Sequence, residues 1–413
     1  MSNEAEDHVE RKEGLKQVIR QLHEGKSVEE VKDQFADILE DVGATEVAEI
    51  EQELIEEGLP AAEIQRLCDV HVAVFRESLE EETSPESAPG HPVYTFLAEN
   101  AAAQRILDEL ESALETLKAE PNAENLETAE ELLSDLQEYD RHYLRQENVL
   151  FPYLEKHGFE GPSKVMWGIH DEIRDGWKEL EGLLQEGLQE DVEEFKTRLE
   201  EIFEPLATAI REMFYKEENI LYPTSLEKLS REEWWQVRVQ GAEIGYCYVT
   251  PGDQWPPKET ALEVVSALPP KEEAPEAAEP LLHLETGTLS PEVVNLILNH
   301  LPIEISFVDA EDRVRYFTQM GERIFPRSPA VIGRTVQNCH PPDSVDRVEA
   351  ILDAFRDGQR DVAEFWIQMG GRFIHIRYFA VRDKQGNYRG TIEVVQDVTQ
   401  IRELEGEKRL LDE

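Results

Sequence analysis

The chain has 413 residues, 40% of them hydrophobic, a length that admits two to four domains with cores of their own. Its 90 Asp and Glu against 41 Lys and Arg leave a formal charge of −49, which repels phosphate and excludes general nucleic-acid binding. The opening MSNEAEDHVERKEG lacks the apolar core of an export signal, and no apolar run nears the roughly 20 residues of a membrane span. Three widely spaced cysteines make no disulfide framework, so a soluble, cytoplasmic protein without a membrane partner is expected.

Residues 1–85 read as a helical domain. Leu15, Val18, Ile19 and Leu22 recur at helical spacing, and Ser27 with Glu30 forms a capping box for the next helix. Gly58-Leu59-Pro60 ends one helix and opens another. Cys68 and His71 share an apolar face with Ile64, Leu67 and Phe75, which reads as core packing; one Cys-x-x-His pair is a weak metal or haem signal. Residues 88–230 carry four long helical patterns with breaks near Pro121, Gly158–Pro162 and Gly187, which predicts a four-helix bundle. In 231–288 the stretch WWQVRVQGAEIGYCYVTPGDQWPP predicts a short strand or hairpin, followed by an acidic Pro-rich linker. Residues 290–402 read as two strands, helices and three strands, an α+β domain with one five-stranded antiparallel sheet. Residues 403–413 form a helical exit. The fold class is multidomain and mainly α.

One phrase occurs twice in the bundle region: RQENVLFPYLEK at 145–156 and KEENILYPTSLEK at 216–228. Each is broken or kinked by a proline, Pro152 or Pro223. Carboxylates near a helix C-terminus oppose the macrodipole, so Glu147, Glu217 and Glu218 are poorly placed for helix stability alone. His142 precedes Gln146 by four residues and shares its face, whereas Glu147 is turned away. The other two helices each bring a histidine near their start: His91, leading a stripe through Tyr94 and Ala98, and His170, among Met166, Ile169, Ile173 and Trp177. The region therefore reads as two tandem hairpins, each with a His on its first helix and a carboxylate phrase on its second. Glu and His facing inward from such helices is how bundles hold iron or manganese.

By these residues the region 88–230 resembles a hemerythrin-like, HHE cation-binding domain. The resemblance implies a non-haem di-iron centre, with His on the first and third helices and His-x-x-x-Glu on the second and fourth. Carried over by position, His91, His142, His170 and Glu217, with Glu218 beside it, take ligand places. Gln146 stands at the first bridging-carboxylate place and Met213 where the fourth-helix His is expected, which leaves a mononuclear iron site open. Glu147, given a local rotation of the helix, and Tyr94, on the face of His91, are further candidate iron ligands. Haem is the other choice, with His170 and Met213 as axial ligands.

The segment EIEQELIEEGLPAAEIQRLCDVHVAVF (49–75) resembles a small helical domain of unknown function that precedes hemerythrin-like domains. Residues 290–402 resemble a PAS domain, by the order of elements and the closing VVQDVTQIRELEGEK. That resemblance implies a cofactor contact at Cys339 and His340, within GRTVQNCHPPDSV, whereas His375 reads as structural. The expectation is a sensor rather than an enzyme. Iron in the bundle binds or reacts with O2, NO or a redox ligand, and the PAS domain relays the change to an unknown protein partner or through a homodimer. The alternatives are haem sensing, peroxide or NO handling, and iron donation for iron–sulfur repair.

Overall fold

The computed structural model describes residues 2–39, 43–60, 63–64, 74, 88–186, 192–256, 281–319 and 323–406. Cys68, His71, the centre of the acidic linker and the helical exit beyond residue 406 lie outside the described residues. The chain divides into two compact units, Met1–Leu268 and Pro269–Glu413.

The first unit begins with α1 (Ser2–His23), α2 (Val28–Leu39) and α3 (Ala44–Glu56). The helical stripe Leu15, Val18, Ile19 and Leu22 is buried, as are Ile50 and Leu54. The expected capping box forms: Glu30 N donates to Ser27 Oγ at 3.2 Å and Ser27 N to Glu30 Oε2 at 3.0 Å. Lys16 joins α1 to α3 through Glu53 and Glu57. Helix α3 also reaches the bundle, where Lys228 pairs with Glu49 at 3.1 Å and Glu160 N donates to Gln52 Oε1 at 3.1 Å.

The bundle is built from α4 (Pro92–Ala119), α5 (Ala123–Gln137), α8 (Gly161–Glu186) and α9 (Val192–Lys216), with two breaks that matter. Beyond α5 the chain continues as α6 (Asp140–Arg145), a π-turn at Gln146–Leu150, and α7 (Phe151–Lys156). Helix α9 runs likewise into a π-turn at Glu217–Leu221 and then α10 (Tyr222–Lys228). Phe96, Ala103, Leu107, Leu110 and Leu114 of α4 are buried, as are Ile173, Trp177, Leu180 and Leu184 of α8 and Leu199, Phe203 and Ile210 of α9.

The strand or hairpin expected at 234–257 is corrected. Residues Arg231–Ile244 form α11. A capping box between Ser230 and Glu233 starts it, and Trp234, Val237 and Gly241, at helical spacing, bury one face. Helical spacing and a cap override the β preference of individual aromatic and branched residues. After Gly245 the chain runs back over the bundle as a strap without regular structure, and Gln254 N and Trp255 N both donate to Pro89 O. A small hairpin does occur later, at β1 (Leu282–Leu284) and β2 (Gly287–Leu289).

The second unit continues with α12 (Pro291–Asn299), β3 (Glu304–Asp309), β4 (Val314–Phe317), α13 (Pro342–Arg356), β5 (Val362–Met369), β6 (Arg372–Arg382) and β7 (Tyr388–Asp397). Strands β3 to β7 form one antiparallel sheet in the order β4-β3-β7-β6-β5. This is the expected five-stranded α+β arrangement. Val308, Val314, Val331, Val336 and Leu352 make a core beneath it.

Candidate metal centre

Both repeated phrases fold into a π-turn, and the sequence gives the reason. The proline of each phrase, Pro152 or Pro223, has no N–H to continue the helical ladder, so the preceding turn shifts register. The asparagine of each phrase supports the shift. Asn148 Nδ2 donates to Leu144 O at 3.0 Å, and Asn219 Nδ2 donates to Tyr215 O at 2.9 Å. The widened turns carry Gln146, Glu147 and Glu217 into the dry interior, where each is at most 2% exposed.

Two histidines are buried in that interior, each held by a carboxylate and an arginine. His142 Nδ1 lies 3.0 Å from Glu99 Oε2, and Glu99 is also bonded by Arg145. His170 Nδ1 lies 2.9 Å from Glu147 Oε1, and Arg174 reaches both oxygens of Glu147, at 2.8 and 3.1 Å. Tyr139 stacks on His142 with centroids 4.4 Å apart, and Tyr143 stacks on His170 at 4.0 Å. A carboxylate on Nδ1 fixes the tautomer and leaves Nε2 as the working nitrogen, the support that metal-binding histidines receive.

The Nε2 side of His142 is crowded. Gln146 Nε2 lies 2.8 Å from it, Tyr222 OH 3.1 Å and Glu217 Oε2 3.2 Å. One imidazole nitrogen makes one hydrogen bond, so three claimants cannot all be satisfied. Glu217 is itself the hub, accepting from Gln146 Nε2 at 3.0 Å, Asn100 Nδ2 at 2.9 Å and Tyr222 OH at 3.1 Å. Beside this crowding, His170 Nε2 and Gln146 Oε1 are buried with no hydrogen-bond partner. Such atoms are costly unless something else binds them.

The charges follow from burial and neighbours. Burial would push the His142 imidazole down, but Glu217 and Glu99 outweigh it and raise its pKa. His170 is lowered by burial and stays neutral, a lone pair ready for a Lewis acid. Burial would raise Glu99, Glu147 and Glu217, yet His142 with Arg145, Arg174 with His170, and His142 respectively hold all three down as carboxylates.

By the chemistry of its donors alone, the interior matches one cation rather than two. His142, His170 and Glu217 supply two imidazoles and one carboxylate. At the remaining places the interior offers amides, Asn100 and Gln146, and the thioether of the fully buried Met213. Among the described residues no group of three His, Cys, Asp or Glu is gathered tightly enough to hold a metal ion.

Other sequence candidates lie elsewhere. His91 does not join the interior cluster: it caps α4, accepting from Val93 N at 3.2 Å, and its ring packs against Trp234 and Trp255 at 4.7 Å each. Burial and nearby Arg238 push it down to about 4. Tyr94 is 39% exposed and faces out of the bundle. Glu147 supports His170 from its far side, through Nδ1. Glu218 is half-buried and accepts from Asn100 at 3.2 Å. In the second unit, His340 Nδ1 donates to Val336 O at 2.8 Å, and Cys339 packs on the valine core. His340 lines a cavity of about 30 Å³ with Arg327, Tyr378 and Glu393, room for about two waters, so a haem there would require the core to open. His375 pairs with Glu364 at 2.7 Å across β6 and β5, away from that cavity.

Sequence reasoning missed Glu99, Asn100, Arg145, Arg174, Tyr139 and Tyr222. A signal was present on α4: Glu99 and Asn100 fall between Phe96 and Ala103, on a stripe that is otherwise apolar and buried. Two polar residues on a core stripe mark a polar interior.

Three segments of the chain match known families. Residues 91–225 match the Hemerythrin HHE cation binding domain, residues 15–81 a family of unknown function (DUF438), and residues 294–399 a PAS domain. Among solved structures, a C-terminal domain from Streptococcus mutans is 40% identical over 31% of this chain and 100% of its own, with a TM-score of 0.30. A sensory box sensor histidine kinase from Vibrio cholerae is 13% identical over 26% of this chain and 90% of its own, at 0.21. The PAS domain of Bordetella pertussis BvgS is 18% identical over 27% of this chain and 88% of its own, also at 0.21. No curated protein matches.

Proposed function

From the premise of a hemerythrin HHE domain joined in one chain to a PAS domain, we propose that the bundle holds a single iron ion and reports its state to the PAS unit. The observation that carries this reading is the paired support of His142 by Glu99 and of His170 by Glu147, with His170 Nε2 left unpartnered in a dry interior. Two imidazoles and one carboxylate are the set that suits non-haem Fe(II). Iron held by His142, His170 and Glu217 would supply binding of, or redox reaction with, O2, NO or a similar small molecule.

The protein's own residues set the terms. Arg145 and Arg174 keep Glu99 and Glu147 ionised, and those carboxylates aim the Nε2 atoms inward. Burial of the whole cluster excludes bulk water. A route outward is built in. Glu99 Oε1 accepts from the backbone N–H of Cys247 at 3.1 Å, so the carboxylate that positions His142 is tied to the strap that leads toward the linker. Tyr246, next to it, covers the Arg145 guanidinium at 4.7 Å. A shift of His142 therefore pulls on the strap.

At the receiving end, α12 shows Val293, Leu296 and Ile297 to solvent while Asn295 and Asn299 tie it to Tyr316 OH and Gln319 N. That apolar stripe suits a protein partner or a second copy. Sensing is favoured over turnover because a PAS unit adds nothing to detoxification. Iron content and visible spectrum of purified His170→Ala against the parent test the reading. The variant is expected to lose the iron and every spectral response to air or NO; full iron with an unchanged spectrum contradicts it.

A further inference from the structure

One polar group in the interior has no role in the two-histidine, one-carboxylate set: the phenol of Tyr222. The two phrases align as Gln146-Glu147-Asn148-Val149-Leu150-Phe151-Pro152 and Glu217-Glu218-Asn219-Ile220-Leu221-Tyr222-Pro223. Tyr222 thus occupies in the second phrase the place that Phe151 occupies in the first, at the same step after a π-turn. Phe151 is fully buried and packs with its ring toward His170, so the position needs an aromatic ring and no hydroxyl. Tyr222 is as buried, and its ring stacks on Phe96. An added buried hydroxyl costs free energy unless it is well bonded.

Its hydroxyl lies at the centre of the site. The oxygen is 3.1 Å from His142 Nε2, 3.0 Å from Gln146 Nε2 and 3.1 Å from Glu217 Oε2. It is therefore within hydrogen-bond distance of two of the three metal-binding residues. The other phenols compare poorly. Tyr94 is exposed, Tyr143 stacks face-on against His170, and Tyr139 spends its O–H on Asn100 Oδ1 at 2.6 Å.

We propose that Tyr222 is a ligand of the bound ion, coordinating through its phenolate oxygen beside His142, His170 and Glu217. This rests on the single-iron reading above. On binding, the phenol O–H bond breaks, an oxygen–metal bond forms, and the proton now directed at Glu217 is released to solvent. A hard, anionic oxygen favours ferric over ferrous iron, so the tyrosine biases the site toward its oxidised state.

The test uses the full chain, loaded with ferrous iron without air and then oxidised by O2. The parent is expected to show a broad visible phenolate-to-iron band, with tyrosinate vibrations enhanced in resonance Raman spectra excited within it. Tyr222→Phe, which copies Phe151, is expected to lose the band in whatever iron it binds, whereas Tyr94→Phe keeps it. A parent that binds iron without that band overturns the ligand assignment and leaves the single-iron reading standing, as does a band that survives in Tyr222→Phe. A parent that takes up no iron overturns both. The measurement on the parent needs no variant to fold.

Discussion

Residues 142–152 and 213–223 share a backbone plan: the end of a helix, a five-residue π-turn, and a proline in the first turn of the next helix. Their donors differ at nearly every chemically relevant place. The first offers His142, Gln146 and Phe151, and the second Met213, Glu217 and Tyr222. The first helices of the two hairpins differ in the same sense. Asn100 reaches Glu217 and Glu218, whereas His170 reaches Glu147. What one half lacks the other supplies, and the bonds of His142 and Gln146 to Glu217 and Tyr222 join the halves. A duplicated scaffold with complementary donors is what the proposal of one centre shared between halves rests on.

Making the halves alike is the strongest way to break that comparison. Asn100→His, Gln146→Glu and Met213→His together give both halves the same His and Glu donors, and the variant is expected to bind about two irons per chain. A folded triple variant that still binds one would show that the backbone, not the donor set, limits the count.

The supporting carboxylates come next in size. Glu99→Gln and Glu147→Gln each keep the shape but weaken the hold on an imidazole Nδ1, and each is expected to lower iron affinity about 10–100-fold. Glu99→Gln is also expected to change hydrogen exchange at the Cys247 amide, because that N–H is bonded to Glu99 Oε1. Glu147→Gln is expected to leave that amide unchanged. Equal effects on the amide would mean that the strap does not report on His142.

The smallest effects concern the ends of the bundle. His91→Ala removes an N-cap and a ring held between two tryptophans, an expected loss of roughly 1–3 kcal/mol of stability with iron retained. The same residue makes the bundle acid-sensitive. Its pKa falls from 6.5 unfolded to about 4 folded, so the stability it protects is complete above pH 6.5 and is lost as the pH falls toward 4. Below that, protonation of Glu99, Glu147 and Glu217, all held down in the folded state, removes more. Thermal melts across this range should flatten between pH 6.5 and 4 in His91→Gln. Loss of iron in His91→Ala would return His91 to the ligand set.

Much of this was legible in the sequence because period and punctuation carried it. The repeated phrase led to the buried polar cluster, its prolines marked the register change, and the alternation of strands and helices gave the second unit. His91 misled because a histidine before a proline at a helix start can serve as a cap as readily as a ligand, and one-dimensional spacing does not say which way the ring turns. Asn100 and Gln146 were hard to weigh because amides read as losses until Glu217 is seen bonded to both. Tyr222 was hidden by its role as an aromatic core residue, and only the position of its hydroxyl separates it from Phe151. Residues 234–244 misled because aromatic and β-branched side chains suit a strand until Ser230 and Glu233 cap a helix.

Metal analysis of the purified full chain after anaerobic ferrous loading, paired with its visible spectrum before and after air, tests the shared centre most directly. The account predicts about one iron per chain and no Soret band. Two irons per chain, a Soret band, or no iron would each contradict it.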